Sequence, residues 1–291
     1  MNLRERIHSG VLVLDGAMGT QLMARGAQGS NEVWGAEHRE DLISIHRAYI
    51  DAGADAILTN TLGGSRLKLE RAGVGDRTVR LNRTLAEIAK DAASGKAFVL
   101  GDVGPTGKFV EPYGELTEAE MTDVFGEQIG ALIEGGVDGI IIETMMDPTE
   151  AACAIRAAKA VAPNVPVLAT LTFDRNPRGF RTMMGATPPD GIRRLLEAGA
   201  DAVGANCGGM TPGDFVPLLE EVHRAVAAPL IVEANAGLPQ IEDGKAVFKE
   251  LPETFGRLVA EWIRVGATII GGCCGTTPDH IRAVSEAVKR R

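Results

Sequence analysis

Short apolar runs rich in β-branched residues recur along the chain, at Val11–Leu14, Ala56–Thr59, Ala97–Leu100, Gly139–Ile142, Val165–Thr170, Ala202–Gly204, Leu230–Glu233 and Thr268–Ile270. Apolar and polar residues do not alternate within them, which is the pattern of strands covered on both faces. Between the runs the period changes and predicts helices at Asp41–Ala52, Glu118–Glu134, Thr149–Ala160, Asp190–Ala198, Asp214–Val226 and Pro252–Val265. Eight strands alternating with helices fit a closed parallel barrel or a doubly wound open sheet.

An internal echo separates the two. Four strand starts share one phrase: YIDAGADAILTN, LIEGGVDGIIIET, LLEAGADAVGANC and WIRVGATIIGGCC. Each ends a helix at a glycine (Gly53, Gly136, Gly199, Gly266) suited to the left-handed cap, then enters an apolar strand. The phrase precedes the second, fourth, sixth and eighth strands. An eightfold ring explains this, because alternate strands fill the same interior layers. The expected fold is an α/β (β/α)8 TIM barrel, and with no Gly/Ser/Pro-rich linker residues 1–291 read as one domain.

Composition narrows the class. The 291 residues are 45% hydrophobic and 24% charged, enough apolar surface to fold. A net charge of -9 and 4% aromatic residues argue against nucleic-acid binding. No apolar run is long enough for a membrane span, and the charged first residues lack a signal-peptide core, so a cytoplasmic protein is expected.

Barrel chemistry sits at the carboxyl ends of the strands. Those positions hold Asp15, Asn60 and Thr61, Asp102, Glu143, Thr172, Asn206 and Cys207, Glu233 and Asn235, and Cys273 with Cys274. Three of the four cysteines therefore meet on one rim, while Cys153 falls inside a helix and reads as packing. No histidine lies at a strand end; His46 and His223 fall on helices and His280 at a helix start. Three thiols can fill three corners of a zinc tetrahedron and leave the fourth open. Buried or redox-active cysteines in a barrel of other function are the alternative. A thiolate-rich site is a poor Lewis acid for hydrolysis but suits the activation of a substrate thiol.

Asp15-Gly16-Ala17-Met18-Gly19-Thr20, Gly204-Ala205-Asn206-Cys207 and Gly271-Gly272-Cys273-Cys274-Gly275 together resemble the homocysteine S-methyltransferase family over essentially the whole chain. The resemblance implies a (β/α)8 barrel with Zn2+ on Cys207, Cys273 and Cys274, and Asn235 as a weak fourth ligand. It implies L-homocysteine as methyl acceptor and methionine as product. Asp15 and Glu143 match acidic positions that hold the amino-acid end, as both binding and catalytic residues. The amides around Gly16 and Ala17 would receive the carboxylate, and Asn206 would also touch substrate.

The donor divides the family. Betaine enzymes need an aromatic cage; here Thr61-Leu62-Gly63-Gly64 and Thr144 occupy the matching places. Gly101-Asp102-Val103-Gly104-Pro105-Thr106-Gly107 and Thr172–Gly185 look more like the homocysteine module of cobalamin-dependent methionine synthase than an S-methylmethionine enzyme. Methylcobalamin on a separate corrinoid-carrying protein or domain is then expected, because this chain has no Asp-x-His-x-x-Gly motif. Met145, Met146 and Met210 follow strand ends and are candidate partner contacts. Outside this reading stand S-methylmethionine-, S-adenosylmethionine- or betaine-type enzymes and a corrinoid-system methyltransferase with another substrate. A phosphate-binding barrel enzyme using Gly271-Gly272 and a non-catalytic zinc-binding subunit are the readings of a different class.

Overall fold

The computed structural model describes residues 1–242 and 245–291. Eight parallel strands form the barrel: β1 Leu12–Val13, β2 Ala56–Leu58, β3 Phe98–Val103, β4 Gly139–Met145, β5 Val167–Leu171, β6 Ala202–Asn206, β7 Leu230–Ala234 and β8 Ala267–Gly272. They are hydrogen-bonded in the order β1-β8-β7-β6-β5-β4-β3-β2, and a parallel bridge from Leu14 to Ala56 joins the two ends. The helices are α1 Leu3–Ile7, α2 Gly19–Ala24, α3 Asn31–Glu37, α4 Arg39–Asp51, α5 Arg66–Arg71, α6 Thr78–Ala93, α7 Glu118–Glu134, α8 Pro148–Val161, α9 Pro188–Ala198, α10 Phe215–Ala225, α11 Pro252–Arg264 and α12 Pro278–Lys289. No described helix is long and apolar enough to cross a membrane.

The repeated phrase has a mechanical basis. Asp55, Asp138 and Asp201 stand just before β2, β4 and β6, and each carboxylate accepts the N–H of the preceding odd strand, from Val13, Val99 and Val167. Each also takes a cation: Arg6 on Asp55, Lys90 on Asp138, and Lys159 with Arg4 on Asp201. The fourth repeat has Thr268 at this place, its hydroxyl is buried without a partner, and the β8–β7 register shifts between Ala267 and Ile269. The aspartates thus stitch strand pairs at the amino end of the barrel.

Burial raises the Asp201 carboxyl, but hydrogen bonds from Lys159, the Val167 amide and Arg4 outweigh it and hold the group below its ordinary value. A lowered folded pKa means the stabilisation is complete above the unfolded pKa of about 4 and fades as pH falls through the folded value. Asp201→Asn should therefore cost about 1.5–3 kcal/mol near pH 7, the range for hydrogen bonds to charged groups. Melting curves of both proteins should converge below pH ~4; a gap that persists in acid would assign the loss to packing.

Inside the barrel, Leu12, Leu100, Ile141, Leu168, Ala202, Ile231 and Ile269 form one apolar layer, closed from below by Leu3 and Ile7 of α1. Side chains two residues apart share a strand face. One step further along the strands, the same face therefore carries Asp102, Glu143, Thr170 and Glu233. The interior changes from oil to acid within a single layer.

The loops after odd and even strands differ. Residues 104–117, 172–187 and 235–251 follow β3, β5 and β7, and α2 and α3 lie in the long connection after β1. Two antiparallel hairpins, Asp174–Asn176 with Gly179–Arg181 and Gln240–Glu242 with Lys245–Val247, project from the β5 and β7 loops. After β4 and β8 only residues 146–147 and 273–277 intervene before the next helix. Neither the hairpins nor the short helices α2, α3 and α5 follow from the apolar period, since helices of six or seven residues span too few turns to display it.

Candidate metal and substrate site

Cys207 directly follows β6, and Cys273 and Cys274 follow β8; their sulfurs all lie within 4.8 Å of one another. The Cys207 and Cys274 Sγ atoms are 3.9 Å apart. All four cysteines are free thiols, and Cys153 is buried in α8 as expected. The three rim thiols titrate as one group. Hydrogen bonds from Cys273 and Cys274 draw Cys207 down to about 3, and those same contacts push the other two up. Three sulfurs within this reach of one another are a donor set that could hold a cation. Among the described residues this is the one cluster of three metal-ligating side chains.

Asn206 organises the neighbourhood. Its amide donates to Glu143 Oε2 (2.7 Å) and Thr144 Oγ1 (2.8 Å), and its oxygen accepts from the Thr144 N–H (2.9 Å) and Thr170 Oγ1 (2.8 Å). Expected to touch substrate, Asn206 is instead completely buried with its hydrogen-bonding capacity spent on the protein. The residues on either side of this contact, Thr144 and Cys207, have φ of 60° and 54°. Such left-handed backbone costs about 1–3 kcal/mol at a non-glycine residue. Asn206 therefore clamps a strained peptide and aims Glu143 and Cys207. Asn206→Asp would set a second carboxylate against Glu143 and lower kcat/KM by about 10–100-fold, as loss of a supporting contact does. Steady-state kinetics on the folded variant would check this; unchanged kinetics would remove Asn206 from the machinery.

Glu143 lines the cavity above the thiols, and burial, with the nearby Cys207 thiolate, pushes its carboxyl up to about 8. Asp15 has another task. Its Oδ2 accepts the Leu58 N–H (3.0 Å), extending the β1–β2 seam beyond the last bridge, and its side chain does not line the cavity. The Ala17 amide, expected to receive a carboxylate, donates to Thr276 Oγ1 (3.0 Å), and the Ala17 carbonyl accepts from Tyr49. Gly16 is required here because a Cβ would lie 2.6 Å from Thr276 Oγ1 and 2.9 Å from Tyr49. The stretch is thus a packed corner whose Ala17 amide is already committed. Asn235 donates to the Gly208 carbonyl (3.1 Å), while its own oxygen is buried and unpartnered.

The cavity has a volume of about 670 Å³ and reaches from the three thiols, Glu143 and Asp102 to a mouth bearing Met18, Met23, Lys68 and Arg71. No aromatic side chain lines it among the described residues. Met145 and Met210, expected at a contact surface, are fully buried under the loops; Met183 is the exposed methionine of the β5 loop. His46 is buried with both ring nitrogens unpartnered and its pKa lowered to about 4 by that burial, a packing role.

Fold and site together define a barrel enzyme with a thiol-rich cation site at its catalytic end. The family model for homocysteine S-methyltransferase matches residues 12–288, and the chain belongs to that family. The methionine synthase of Mycobacterium tuberculosis (strain ATCC 25618 / H37Rv) is 33% identical over 297 residues, covering 96% of this chain and 24% of its own. That of Mycobacterium leprae (strain TN) is 30% identical over 308 residues, covering 99% and 25%. The chain spans about a quarter of the length of these relatives. The fold is shared with the metallated homocysteine methyltransferase MmuM from Escherichia coli, at 23% identity, TM-score 0.80 and coverage of 98% and 99%. The apo form of that protein superposes with a TM-score of 0.74 at 23% identity, over 96% of each chain.

Proposed function

We propose that the protein transfers a methyl group from methylcobalamin, carried by a separate protein or domain, to the thiol of L-homocysteine, giving methionine. The observation that carries this reading is the convergence of Cys207, Cys273 and Cys274 on the floor of an open, acid-lined cavity. The donor set fits zinc. At a Zn–S distance of about 2.3 Å, tetrahedral sulfurs stand about 3.8 Å apart, close to the 3.9 Å between Cys207 and Cys274. The unpartnered Asn235 oxygen is a spare acceptor for the remaining position. Bound there, zinc would supply the ionised state of the substrate thiol.

Ionisation alone gains little. A thiol of pKa about 8.5 is a few per cent thiolate at pH 7, so complete ionisation is worth about thirtyfold. Alignment of sulfur with the methyl carbon is worth far more. The chain's own residues serve that end: Asn206 fixes Cys207 and Glu143, and the acid layer receives an ammonium group.

The mouth supports the choice of donor. Lys68 and Arg71 stand there and no ring lines the cavity among the described residues, an unfavourable setting for a quaternary ammonium or sulfonium donor. Met23, Tyr113, Met183, Leu238 and Leu251 are exposed on the connections after the odd strands, at the end of the barrel where a macromolecular donor would approach. The relatives named methionine synthase agree with methionine as the product.

Zinc K-edge absorption with and without L-homocysteine, followed by single-turnover transfer from free methylcobalamin, tests the reading. The expected shell has three sulfurs without substrate and four with it, and methionine forms. A shell indifferent to homocysteine would overturn the acceptor, and absence of transfer the donor.

A further inference from the structure

We propose that Asp102 is the principal acceptor for the ammonium group of the substrate. This rests on the reading that the substrate is an amino-acid thiol, but it assigns a residue that the family resemblance did not supply. Four carboxylates near the floor differ in how they are already used; Glu233 also keeps an unpartnered oxygen, Oε2, but does not line the cavity. Asp15 gives Oδ2 to the Leu58 amide and does not line the cavity, and Glu143 accepts from Asn206 through Oε2. Asp102 lines the cavity at 5% exposure, and its Oδ1 has no partner. No lysine or arginine among the described residues pairs with its carboxylate.

The backbone of Asp102, in contrast, is held from several sides. Its N–H donates to Thr59 Oγ1 (2.9 Å), and its carbonyl accepts from Thr61 Oγ1 (2.7 Å) and Gln128 Nε2 (3.4 Å). Thr59 and Thr61 are themselves linked at 2.6 Å. Buried side chains thus fix the peptide while its carboxylate is left free, an arrangement that has no structural purpose for the carboxylate itself. A buried acceptor without a partner is costly, and the cost is recovered when a ligand donates to it. Asp102 occupies the same inward layer as Glu143 and Glu233, and burial first, then these neighbouring acids, raise its carboxyl; an arriving ammonium offsets both costs by pairing with the ionised form. An ammonium has three donors; Asp102 and Glu143 both reach the cavity and can share them.

The test compares L-homocysteine with 4-mercaptobutanoate, the same thiol without its amino group, on metal-loaded protein. Calorimetric binding and KM should show wild type preferring homocysteine. Asp102→Asn should weaken homocysteine by roughly 10–100-fold, mainly in KM, and leave 4-mercaptobutanoate unchanged, so the preference collapses. Metal content and melting temperature should stay at wild-type levels, since the carboxylate holds nothing in the fold; Asp102→Ala, read alongside, should give the same collapse. Equal losses for both thiols, or an unchanged homocysteine affinity, would overturn the assignment to Asp102 alone. Wild-type protein that bound neither thiol would overturn the substrate reading and this proposal together.

Discussion

Cys207→Ala is expected to empty the metal position and lower methyl transfer by at least about 100-fold, since removing a mere support of a metal ligand already costs 10–100-fold. Cys207 is the thiol on which the other two converge, and the contacts that lower its pKa raise theirs. Without it only Cys273 and Cys274 remain, and two sulfurs cannot close a zinc site of the usual coordination number. The backbone change should be benign, because alanine removes only Sγ from a residue already in a left-handed conformation. Metal analysis of protein purified reduced and without chelator, together with turnover, checks this. A variant that kept full metal and activity would show that the cluster is not the catalytic site.

Gly204→Ala is expected to prevent stable folding. Gly204 lies within β6, paired to Ile231 of β7, and an added Cβ would stand 2.0 Å from the Ile231 carbonyl oxygen and 2.7 Å from its carbonyl carbon. Those atoms are backbone in the middle of a parallel ladder, so no rotamer change relieves the clash. Overpacking a core commonly costs about 1–3 kcal/mol, and here β6 and β7 would have to separate, which raises the loss above about 4 kcal/mol. Total stability of a domain is about 5–15 kcal/mol, so insoluble protein or a greatly lowered melting temperature is the expected result. A soluble variant melting near wild type would mean that the two strands can spread without loss.

Much of this was legible in the residues. The eight apolar runs gave every barrel strand, because a strand covered on both faces has few alternatives to an apolar run. From β3 onward the strands extend past the apolar runs: β3 runs on to Val103 and β4 to Met145, through Asp102 and Glu143, where the inward layer turns polar, whereas β1 and β2 stop one residue short of theirs. The cysteine cluster was readable because its members stand at strand ends, which the fold brings together. The division of labour among the acids was not. Asp15, Asp102, Glu143 and Glu233 all occupy strand ends in the sequence, and only the coordinates show which oxygen meets a backbone amide and which meets nothing. Spacing does not reveal either that the Ala17 amide is committed to Thr276, 259 positions away. The exposed hairpins were missed because solvated segments carry no apolar period.

The inequality of the loops has a consequence for how such a protein can change. Glu143 stands on β4 and the three thiols directly follow β6 and β8, and two of these strands are followed by the shortest connections of the barrel. The exposed apolar residues Met23, Tyr113, Met183, Leu238 and Leu251 are carried by the long connections after β1, β3, β5 and β7. Strands that carry the site and strands that carry the long connections thus alternate around the ring like two interleaved sets of staves. A new methyl donor could be accommodated by rebuilding one set, while the other keeps its thiols in register.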